Sequence, residues 1–511
     1  MPGFLEVYGY YDNDLGSWAI DVSDDPHTDV QTLTSETAHR QRLISSLMTI
    51  GTFVGSLMVG PFSSWLGRKY GLWGATILNF IATSVMLGST SVGALYAARL
   101  LLGISVGWFL TFSQLYVHEV APAHLRGITF AVYQAQLSIG SIVEASVDFG
   151  TAGFMNKNAY RTPLAVFFVA PTIQSICLFF FPETPRWLMV QGKEDQAEQS
   201  LRKLLNSNID EHQFQAGLNE IRGSTREQVE QNKKALFLEM WRGTNLRRTG
   251  LSIAVICFHA ANGTFATSTI RTALTRSRRF LLGKHLHNLL PRNGRRSQPL
   301  RLLPHGNLHG PPRRHLQHPL RAPHRPAHHD ALGVLACGFS QLAQAIAWTV
   351  APNTEQSGKV VVAFIALFTF FYVAYAPYAW LLGGEYPNSA LRGYVFGLAT
   401  ALNFLGNWLG TFTAPYLINP AGLNWGPKYG YIWFGSNMLL AVFTWFYIPE
   451  TRDRTLEEIH EMFEAGVPAR KFKTYVCHGV EAYAAEGLGK EGVEREKGGI
   501  HVEAEDVGTK A

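Results

Sequence analysis

The sequence predicts an all-α protein that crosses a membrane many times and is built from two similar halves. Three observations carry this prediction. Only 16% of the 511 residues are charged, whereas about 25% is usual in a soluble domain. Long uncharged stretches alternate with short charged joints, and two motifs recur at nearly one spacing. This composition excludes a disordered chain and an ordinary soluble enzyme.

The predicted membrane helices are ten stretches without Asp, Glu, Lys or Arg. A helix needs about 20 apolar residues to cross the hydrocarbon core of a bilayer, and glycines inside such helices permit close packing. The stretches cover residues 43–67, 70–98, 100–117, 128–143, 162–182, 249–270, 331–352, 360–384, 394–427 and 429–449. One soluble core could not bury so many, so the predicted partner of these helices is the lipid bilayer.

The charged segments predict the domain boundaries and the orientation. Residues 1–182 form the first transmembrane half, 183–248 a helical linker, 249–449 the second half and 450–511 a tail. Arg68-Lys69 and Arg126 lie in joints on the side of the linker, and basic short loops favour the cytoplasmic side. We therefore predict a multi-pass plasma-membrane protein with a cytoplasmic linker and tail. Residues from Ala469 onward are rich in Gly, Glu and Lys and are predicted to be disordered.

The positive net charge comes from one segment. Residues 271–330 contain 13 Lys and Arg and a single acid, Asp330, so the rest of the chain has a balance of −6. The segment has enough charge to bind phosphates. However, Phe280 is its only aromatic residue, so it lacks the side chains that stack on bases. The pairs His285/His287 and His328/His329 also lack the i, i+4 spacing of a preformed metal pair. We expect neither a nucleic-acid partner nor a metal site.

Two motifs indicate an internal repeat. The sequence from Glu119 to Arg126-Gly127 is echoed from Glu385 to Arg392-Gly393, and the Pro-Glu-Thr at 182–184 is echoed at 449–451. The offsets between the glutamates are 266 and 267 residues. Because two independent motifs share nearly one offset, they predict parallel half-repeats, an architecture of secondary transporters.

The same offset identifies two irregular places. The partner of the 43–67 stretch would fall at about 309–333, where charged, proline-rich sequence stands that cannot cross lipid. The partner of the stretch at 249 would begin before Met1, so Met1–Ile20 is predicted to be the second half of a first helix. We hypothesise that 271–330 is translated in a wrong reading frame, which leaves the chain as written unable to transport.

These motifs resemble those of the sugar porter family of the major facilitator superfamily, with a fungal character. The resemblance covers about residues 10–270 and 331–463. Each motif is weak alone, but together they are specific in this order: Gly67-Arg68-Lys69, Arg99 through Gly107, Tyr116 through Gly127, Pro182 through Leu188, Glu385 through Gly393 and Pro449 through Ile459.

The resemblance implies the fold and the activity. The expected fold is the major facilitator fold of two six-helix halves, here with an incomplete first helix and a disrupted eighth helix. The expected activity is secondary transport of a hexose or small glycoside by alternating access and proton symport. The expected protein is a monomer that needs no cofactor.

The resemblance also implies a set of charged residues that gates the cytoplasmic side. Such groups can latch helix ends in one conformation and release them in another. The alternative is that they only set the topology. Ser64 and Trp65 stand where the family has an Asp-Arg pair, so one side of the latch is altered. The set consists of Arg68, Glu119, Arg126, Glu183, Arg186, Glu385, Arg392 and Glu450.

Asp12 and Arg99 match the proton-coupling pair of the family. An arginine within a membrane helix is costly unless it is paired. By the resemblance, a proton on Asp12 would break this pair and couple to sugar movement. The alternative is that Asp12 only caps a truncated helix.

Amide side chains and an aromatic face predict the sugar site, because sugars offer both hydroxyl groups and an apolar C–H surface. His259 and Asn262 stand where the family has two glutamines before a glycine. His259 is therefore either a sugar donor or a histidine satisfied by its neighbours. Ordinary helix packing is the alternative for the other positions. The residues that fall on sugar-contacting positions of the family are Gln134, Trp380, Asn403 and Asn407.

Two further functions stay open on sequence alone. A receptor or sensor would bind sugar without moving it, and a transporter-like product with a damaged second half would be inactive. No hydrolase triad, phosphate-binding loop or dinucleotide-binding motif stands out in the sequence, so we do not expect an enzyme.

Overall fold

The computed structural model describes most of the predicted helical regions. The described residues are 9–12, 17–20, 30–89, 91–151, 158–205, 237–264, 326–352, 354–388, 391–418, 425–452 and 454–477, with residue 423 and parts of 211–222. Most of the basic segment, 271–325, lies outside the described residues, and so does the tail beyond Cys477.

Six helices form the part of the bundle that precedes the linker. Each contains all or part of an uncharged stretch, and α5 and α6 share the stretch at 162–182. Their bounds are α1 Val30–Leu66, α2 Arg68–Gly88, α3 Val92–Val120, α4 Ala123–Thr151, α5 Asn158–Val166 and α6 Val169–Phe180.

The rest of the described chain is also helical. The linker contains α7 Pro185–Val190 and α8 Glu194–Leu204. The second half contains α9 Gly243–Ala261, α10 Pro326–Val350, α11 Glu355–Glu385, α12 Arg392–Ile418 and α13 Gly430–Tyr447. After it comes α14, Leu456–Glu464, which begins with a capping box between Thr455 and Glu458.

Six of the described helical segments are long and apolar enough to cross a membrane by themselves. They are Ser46–Leu66, Arg68–Gly88, Val92–Val120, Arg161–Phe180, Ala331–Val350 and Glu355–Glu385. The other uncharged stretches form α4, α9, α12 and α13, which pack against these helices. The prediction of an all-α polytopic membrane fold is confirmed.

The N-terminal residues do not form the predicted end of a helix. Gly9–Asp12 and Ser17–Ile20 are strands β1 and β2, which pair antiparallel with Gly9 opposite Ile20. Tyr, which β1 contains, and Trp, which β2 contains, favour strands. The prediction of a half-helix over Met1–Ile20 is therefore wrong for the described residues.

The beginning of the tail is ordered, contrary to the sequence prediction. Phe472 is fully buried and its ring meets the ring of Phe463 at 5.2 Å between centroids. Tyr386, just after α11, also meets the Phe463 ring, edge to face. Phe472 and Tyr475 give this part of the tail the apolar surface that its remainder lacks. They hold the segment up to Cys477 against the second half.

Close contact between α1 and α3 explains the glycines of the Arg99–Gly107 motif. A Cβ atom on Gly103 would lie 2.1 Å from the Met48 carbonyl oxygen, and one on Gly51 would lie 2.3 Å from the Leu100 carbonyl oxygen. Both obstacles are backbone atoms, which cannot rotate away. The motif thus encodes helix contact through small residues, as is typical in membranes.

Gly103→Val is expected to destabilise the bundle by about 1–3 kcal/mol or more, because the added side chain must separate α1 from α3. Fluorescence-detected gel filtration should show loss of the monodisperse peak, or a lowered Tm if a folded fraction remains. Gly250→Val in α9 is the matched control, since a Cβ there has no atom within 4 Å. Equal behaviour of the two variants would contradict the contact.

The two halves pack against each other through one continuous apolar cluster. Leu72, Trp108 and Phe130 of the first half share this cluster with Trp380 and Phe396 of the second. Alongside it, α1 approaches α12 so closely that a Cβ on Gly397 would lie 2.8 Å from the Ser56 carbonyl oxygen. The described structure therefore has the two halves in direct contact over this region.

Candidate functional site

Charged side chains from both halves gather at the end of the bundle where the linker begins. Arg68, 7% exposed, donates from Nε and Nη2 to Glu119 Oε1 at 3.1 and 2.6 Å, and from Nη1 to the Ser63 carbonyl oxygen at 3.1 Å. A guanidinium group that donates to two acceptors at once is well suited to fixing neighbouring helix ends. This pair joins α2 to α3 within the first half.

Gly67 and Glu183 define the start of α2. Gly67 has φ +88°, a backbone conformation that favours glycine and that separates helix α1 from helix α2. The Glu183 carboxylate accepts the backbone N–H groups of Arg68 and Lys69 at 3.0 Å each and that of Thr184 at 3.0 Å. It therefore caps the positive end of the α2 dipole from another segment. Burial raises the pKa of the Glu183 carboxyl, against the opposing effect of these bonds and of Arg68.

A second ion pair crosses between the halves. Arg126 Nη1 donates to Glu385 Oε1 at 2.9 Å, and both side chains are about 5% exposed. The Thr451 hydroxyl donates to the other oxygen, Glu385 Oε2, at 2.6 Å. A buried carboxylate with both oxygens satisfied is stable only while its partners stay in place. This pair therefore depends on contact between the halves.

The remaining predicted gating residues differ in their placement. Arg186, at the start of α7, bonds Glu457 of α14 and so connects the linker to the segment after the second half. Arg392 is 1% exposed and lies within electrostatic range of Glu119 and Glu457.

Glu450 is half-buried and forms no ion pair with another described residue. Its neighbour Thr451 makes the contact with Glu385 instead. The sequence missed Thr451, although the repeat aligns it with Thr184.

His259, Tyr372 and Trp380 form a connected polar cluster deeper in the second half. Trp380 Nε1 donates to His259 Nε2 at 3.0 Å, and the Tyr372 hydroxyl lies 2.5 Å from His259 Nδ1. An indole N–H can only donate, so Nε2 accepts, and the neutral ring carries its proton on Nδ1. That proton is donated to the Tyr372 oxygen, which also interacts with the neighbouring Thr264 side chain, and the Tyr372 O–H remains as a donor.

This geometry favours the second interpretation of His259, a histidine satisfied by its neighbours. Both ring nitrogens are used by Trp380 and Tyr372, and the residue is 9% exposed. His259 therefore holds two aromatic side chains in place, and in this conformation it offers no free donor to a sugar. The polar group that the cluster can present is the Tyr372 hydroxyl.

Asn262 belongs to a neighbouring amide network. Its Nδ2 donates to the Tyr375 hydroxyl at 2.5 Å, and its backbone carbonyl oxygen accepts from Gln341 Nε2 at 3.0 Å and Asn437 Nδ2 at 3.3 Å. Asn437 also donates to Gln341 Oε1 at 2.9 Å. These bonds join α9, α10, α11 and α13, so helix packing explains much of what Asn262 does.

Asn403 and Asn407 lie one turn apart on α12, and both are almost completely buried. Their side-chain Oδ1 atoms have no hydrogen-bond partner within the part of the chain that the structure describes. An unsatisfied buried amide oxygen costs free energy unless a ligand or water bonds it. These two oxygens are thus available acceptors for sugar hydroxyl groups.

The other predicted residues are placed less closely. Gln134 is half-buried on α4, a helix that contacts α11, which carries Trp380. Arg99 is half-buried in α3 within the span Val92–Val120. The backbone of Asp12 belongs to β1, but its side chain lies outside the described atoms, so the Asp12–Arg99 pair stays a prediction.

His118 is a contact between the halves that the sequence did not single out. It is fully buried, its Nε2 lies 3.3 Å from the Trp380 carbonyl oxygen, and a Cβ on Gly384 would lie 2.0 Å from that nitrogen. His118 and Gly384 are themselves equivalent by the 266-residue offset, so the repeat halves meet at matching positions.

A comparison with known proteins decides the family. The family model described as "Sugar (and other) transporter" matches residues 3–280 and 323–463. This chain belongs to the sugar transporter family. The break in the match, 281–322, falls inside the basic segment 271–330 predicted to be aberrant.

Named relatives of this sugar transporter family member are fungal. The Major facilitator-type transporter ecdD of Aspergillus rugulosus is 27% identical over 89% of this chain and 83% of its own length. The low-affinity glucose transporter HXT3 of Saccharomyces cerevisiae is 24% identical over 86% of this chain and 76% of its own. The high glucose sensor RGT2 of the same yeast is 25% identical over 82% of this chain and 54% of its own.

The fold also matches a solved structure. The proton:xylose symporter XylE, bound to 6-bromo-6-deoxy-D-glucose, superposes with a TM-score of 0.65 at 21% identity over 84% of this chain and 90% of XylE. The predicted major facilitator fold is confirmed, as is the predicted resemblance to fungal sugar porters.

Proposed function

We propose that this protein moves a sugar across a membrane by alternating access. The observation that carries the proposal is the buried Arg126–Glu385 pair, which closes the linker end of the bundle by joining the halves. Because the pair needs both halves in contact, opening that end must break it. A transporter that alternates between two open ends has to break and remake contacts between its halves in each cycle, and a salt bridge is one such contact.

The substrate is proposed from the polar groups below this closure. Trp380 and Tyr372 provide aromatic surface and a hydroxyl donor, and Asn403 and Asn407 provide amide oxygens without partners. A pyranose ring offers C–H faces and hydroxyl groups that suit such a set. A relative at 24% identity is named as a glucose transporter, which supports a hexose or small glycoside as the substrate.

Proton coupling is the finer part of the proposal. Arg99 lies inside a membrane span, and an arginine there favours an acidic partner, for which Asp12 is the candidate. We propose symport, by a monomer with the linker and tail in the cytoplasm of a cell whose plasma membrane holds the protein. Protonation of Asp12 would release Arg99 and permit the sugar-bound protein to change from one open end to the other.

Uptake of labelled hexoses, pentoses and glycosides by cells that lack their own sugar transporters tests the function. The reading-frame-corrected chain is expected to give saturable uptake that rises at acidic external pH and falls with a protonophore. Saturable uptake that ignores both conditions would retain transport and reject proton symport. No uptake over the whole panel, with the protein at the cell surface, would reject transport.

A sensor is the second function that a comparison favours, because the yeast relative RGT2 is named as a high glucose sensor. A sensor would bind sugar without moving it. Quenching of tryptophan fluorescence by sugar in the purified corrected chain, without uptake by cells, would support this alternative and contradict the transport proposal.

His259→Ala is expected to weaken sugar binding about tenfold or more, because Trp380 and Tyr372 each lose a buried hydrogen-bond partner, at roughly 1–3 kcal/mol. The Km of uptake should rise more than the maximal rate falls. His259→Gln, which retains an acceptor and a donor, should recover part of the loss. Cys257→Ala, one half-turn away on α9, is the control and should leave Km unchanged. An unchanged Km in His259→Ala would show that the histidine does not position the site.

A further inference from the structure

A cavity of about 250 Å³ lies where the linker meets the membrane helices. Its walls come from the start of α2, from Pro182 after α6, and from α7 and α8. It is separate from the polar cluster around Trp380. Neither the proposed sugar site nor the ion pair between the halves uses its open side.

Three lysines dominate the charge of this cavity. Lys69 comes from α2, Lys193 precedes α8, and Lys203 lies in the last turn of α8. None of the three ammonium groups forms an ion pair with a carboxylate among the residues that the structure describes. Lys193 Nζ lies 5.9 Å from the centroid of the Trp187 ring, which forms part of the floor.

The nearby acids offset these lysines only in part. Glu183 is the carboxylate among the lining residues, and its oxygens are held by the backbone N–H groups at the start of α2, so they form no ion pair with the lysines. On α8, Glu194 bonds Arg222 and Glu198 bonds Arg202. The cavity therefore presents concentrated positive charge with amide groups of Gln196 and Gln199 beside it, which is a chemistry suited to an anion with several acceptor oxygens.

The cavity lies at the surface of the membrane. Lys69 is the second residue of the span Arg68–Gly88, and Pro182 follows the end of the span Arg161–Phe180. Tyr70, another wall residue, is 59% exposed at the same level, which is the position that tyrosine favours at a membrane interface. A ligand at this level can enter from the headgroup layer without crossing apolar lipid.

We propose that this cavity binds the phosphate of an anionic phospholipid from the leaflet on the linker side. Lysines near an anionic leaflet attract its headgroups, and an ammonium is a compact point charge that suits phosphate. The volume is slightly below the roughly 300–1,000 Å³ of pockets for drug-sized ligands, which matches a headgroup. Soluble phosphates share this chemistry and are distinguished below.

The bound phosphate would act on the gate. It would lie between Lys69 on α2 and the two lysines at the ends of α8, Lys193 just before it and Lys203 in its last turn, beside Glu183, which already holds the start of α2. Occupancy therefore ties the linker helix to the membrane helix in the conformation described, with the linker end closed. This regulatory role rests on the proposed transport, whereas lipid binding itself does not.

The test compares the full chain in nanodiscs of phosphatidylcholine alone with nanodiscs that also contain phosphatidylinositol 4-phosphate. The anionic lipid should raise Tm and should be retained in native mass spectrometry. The triple variant K69Q/K193Q/K203Q should weaken this binding by roughly tenfold to a hundredfold. The matched control K359Q/K471Q/K473Q removes the same charge from exposed lysines elsewhere and should bind as the parent does.

Other outcomes would overturn the proposal. Equal weakening in the two triple variants would show attraction by general surface charge, without a site. Lysine-dependent binding of inorganic phosphate or glucose 6-phosphate in detergent, with no binding of the lipid, would assign the cavity to a soluble phosphate. The charge-retaining variant K69R/K193R/K203R separates loss of charge from loss of folding, because it should keep most of the binding. Unaltered lipid binding with reduced or absent sugar uptake would affect the transport proposal alone.

Discussion

Arg126→Ala is expected to open the linker end of the protein and to abolish most transport. The substitution leaves Glu385 buried with Thr451 as its remaining described partner. Removing one member of a buried ion pair costs about 3–5 kcal/mol, which shifts a two-state equilibrium by a factor of more than about a hundred. The closed conformation should therefore become the minor state, and alternation between the two ends should fail.

Labelling of a reporter cysteine measures this shift. Ser63 is buried on α1, and a Cβ on Gly393 of α12 would lie 3.2 Å from its hydroxyl oxygen, so Ser63→Cys in a background without the native cysteines should react slowly while the halves touch. In the Arg126→Ala variant, a membrane-impermeant maleimide applied from the linker side should react at least about tenfold faster. The transport rate should fall in parallel.

Two controls separate the pair from general effects of charge. Arg202→Ala removes an arginine whose partners Glu198 and Glu211 are exposed, and such surface pairs are worth about 0–1 kcal/mol. Its labelling rate should match that of the parent. In the double variant R126L/E385L both buried charges are absent, so slow labelling should return in part. A labelling rate unchanged by Arg126→Ala would contradict the role of this pair.

The repeat explains why the bond crosses between the halves. Arg126 and Glu385 belong to equivalent motifs, and Arg392 in turn lies within electrostatic range of Glu119. The arginine of the first motif thus bonds the glutamate of the other half, whereas the glutamate of the first motif is bonded by Arg68. The sequence showed glutamate and arginine seven residues apart within each motif, but this spacing cannot reveal that Arg126 pairs across the halves, because it contains no information about how the halves face each other.

Other differences between sequence and structure have equally local causes. The uncharged stretches predicted the helices well, since charge is excluded from lipid-facing helices whatever their packing. The role of His259 was left open, because only the positions of Tyr372 and Trp380 show that both ring nitrogens are used. Glu450 was predicted because its motif repeats that of Glu183. The two motifs are alike in sequence but make different contacts: Glu183 accepts the backbone N–H of Arg68, whereas in the second motif Thr451 bonds Glu385.

The described helices require a membrane crossing that the basic segment cannot make. Helix α9 begins beside the linker, where Arg248 bonds Glu464, and runs away from it as far as Asn262, which bonds Gln341 and Asn437 in the middle of α10 and α13. Helix α11 ends at the linker side with Glu385, so α10, joined to it by a short connection, begins at the linker side with Pro326. Since the uncharged stretch that contains most of α9 continues to Ile270, we expect the chain to complete that crossing and then to cross once more before Pro326. Residues 271–325 contain 13 Lys and Arg, and no run there approaches the roughly 20 apolar residues that a span needs.

Replacing residues 271–330 with the translation of a shifted reading frame is expected to change the protein from inactive to active. The corrected frame should encode an apolar helix followed by a Gly-Arg-Arg-like loop. In the first half Arg68 bonds Glu119, whereas the position equivalent to Arg68 by the offset is Val334. The restored loop should supply the missing arginine close to Glu385. Sugar uptake should rise from background to a saturable rate, with a gain of at least about tenfold in surface-expressed protein.

Two matched chains determine whether the gain comes from a restored crossing. Deleting 271–325 should not restore uptake, because it leaves no chain for the expected crossing between α9 and α10, and a direct connection would invert every later helix. A segment of the corrected composition in scrambled order should restore the crossing and the surface expression, but without the arginine at its proper place it should transport poorly. If no alternative frame encodes an apolar helix, the frame hypothesis is wrong. The segment as written would then have to be accommodated outside the bilayer, and a chain with this topology could not complete its second half.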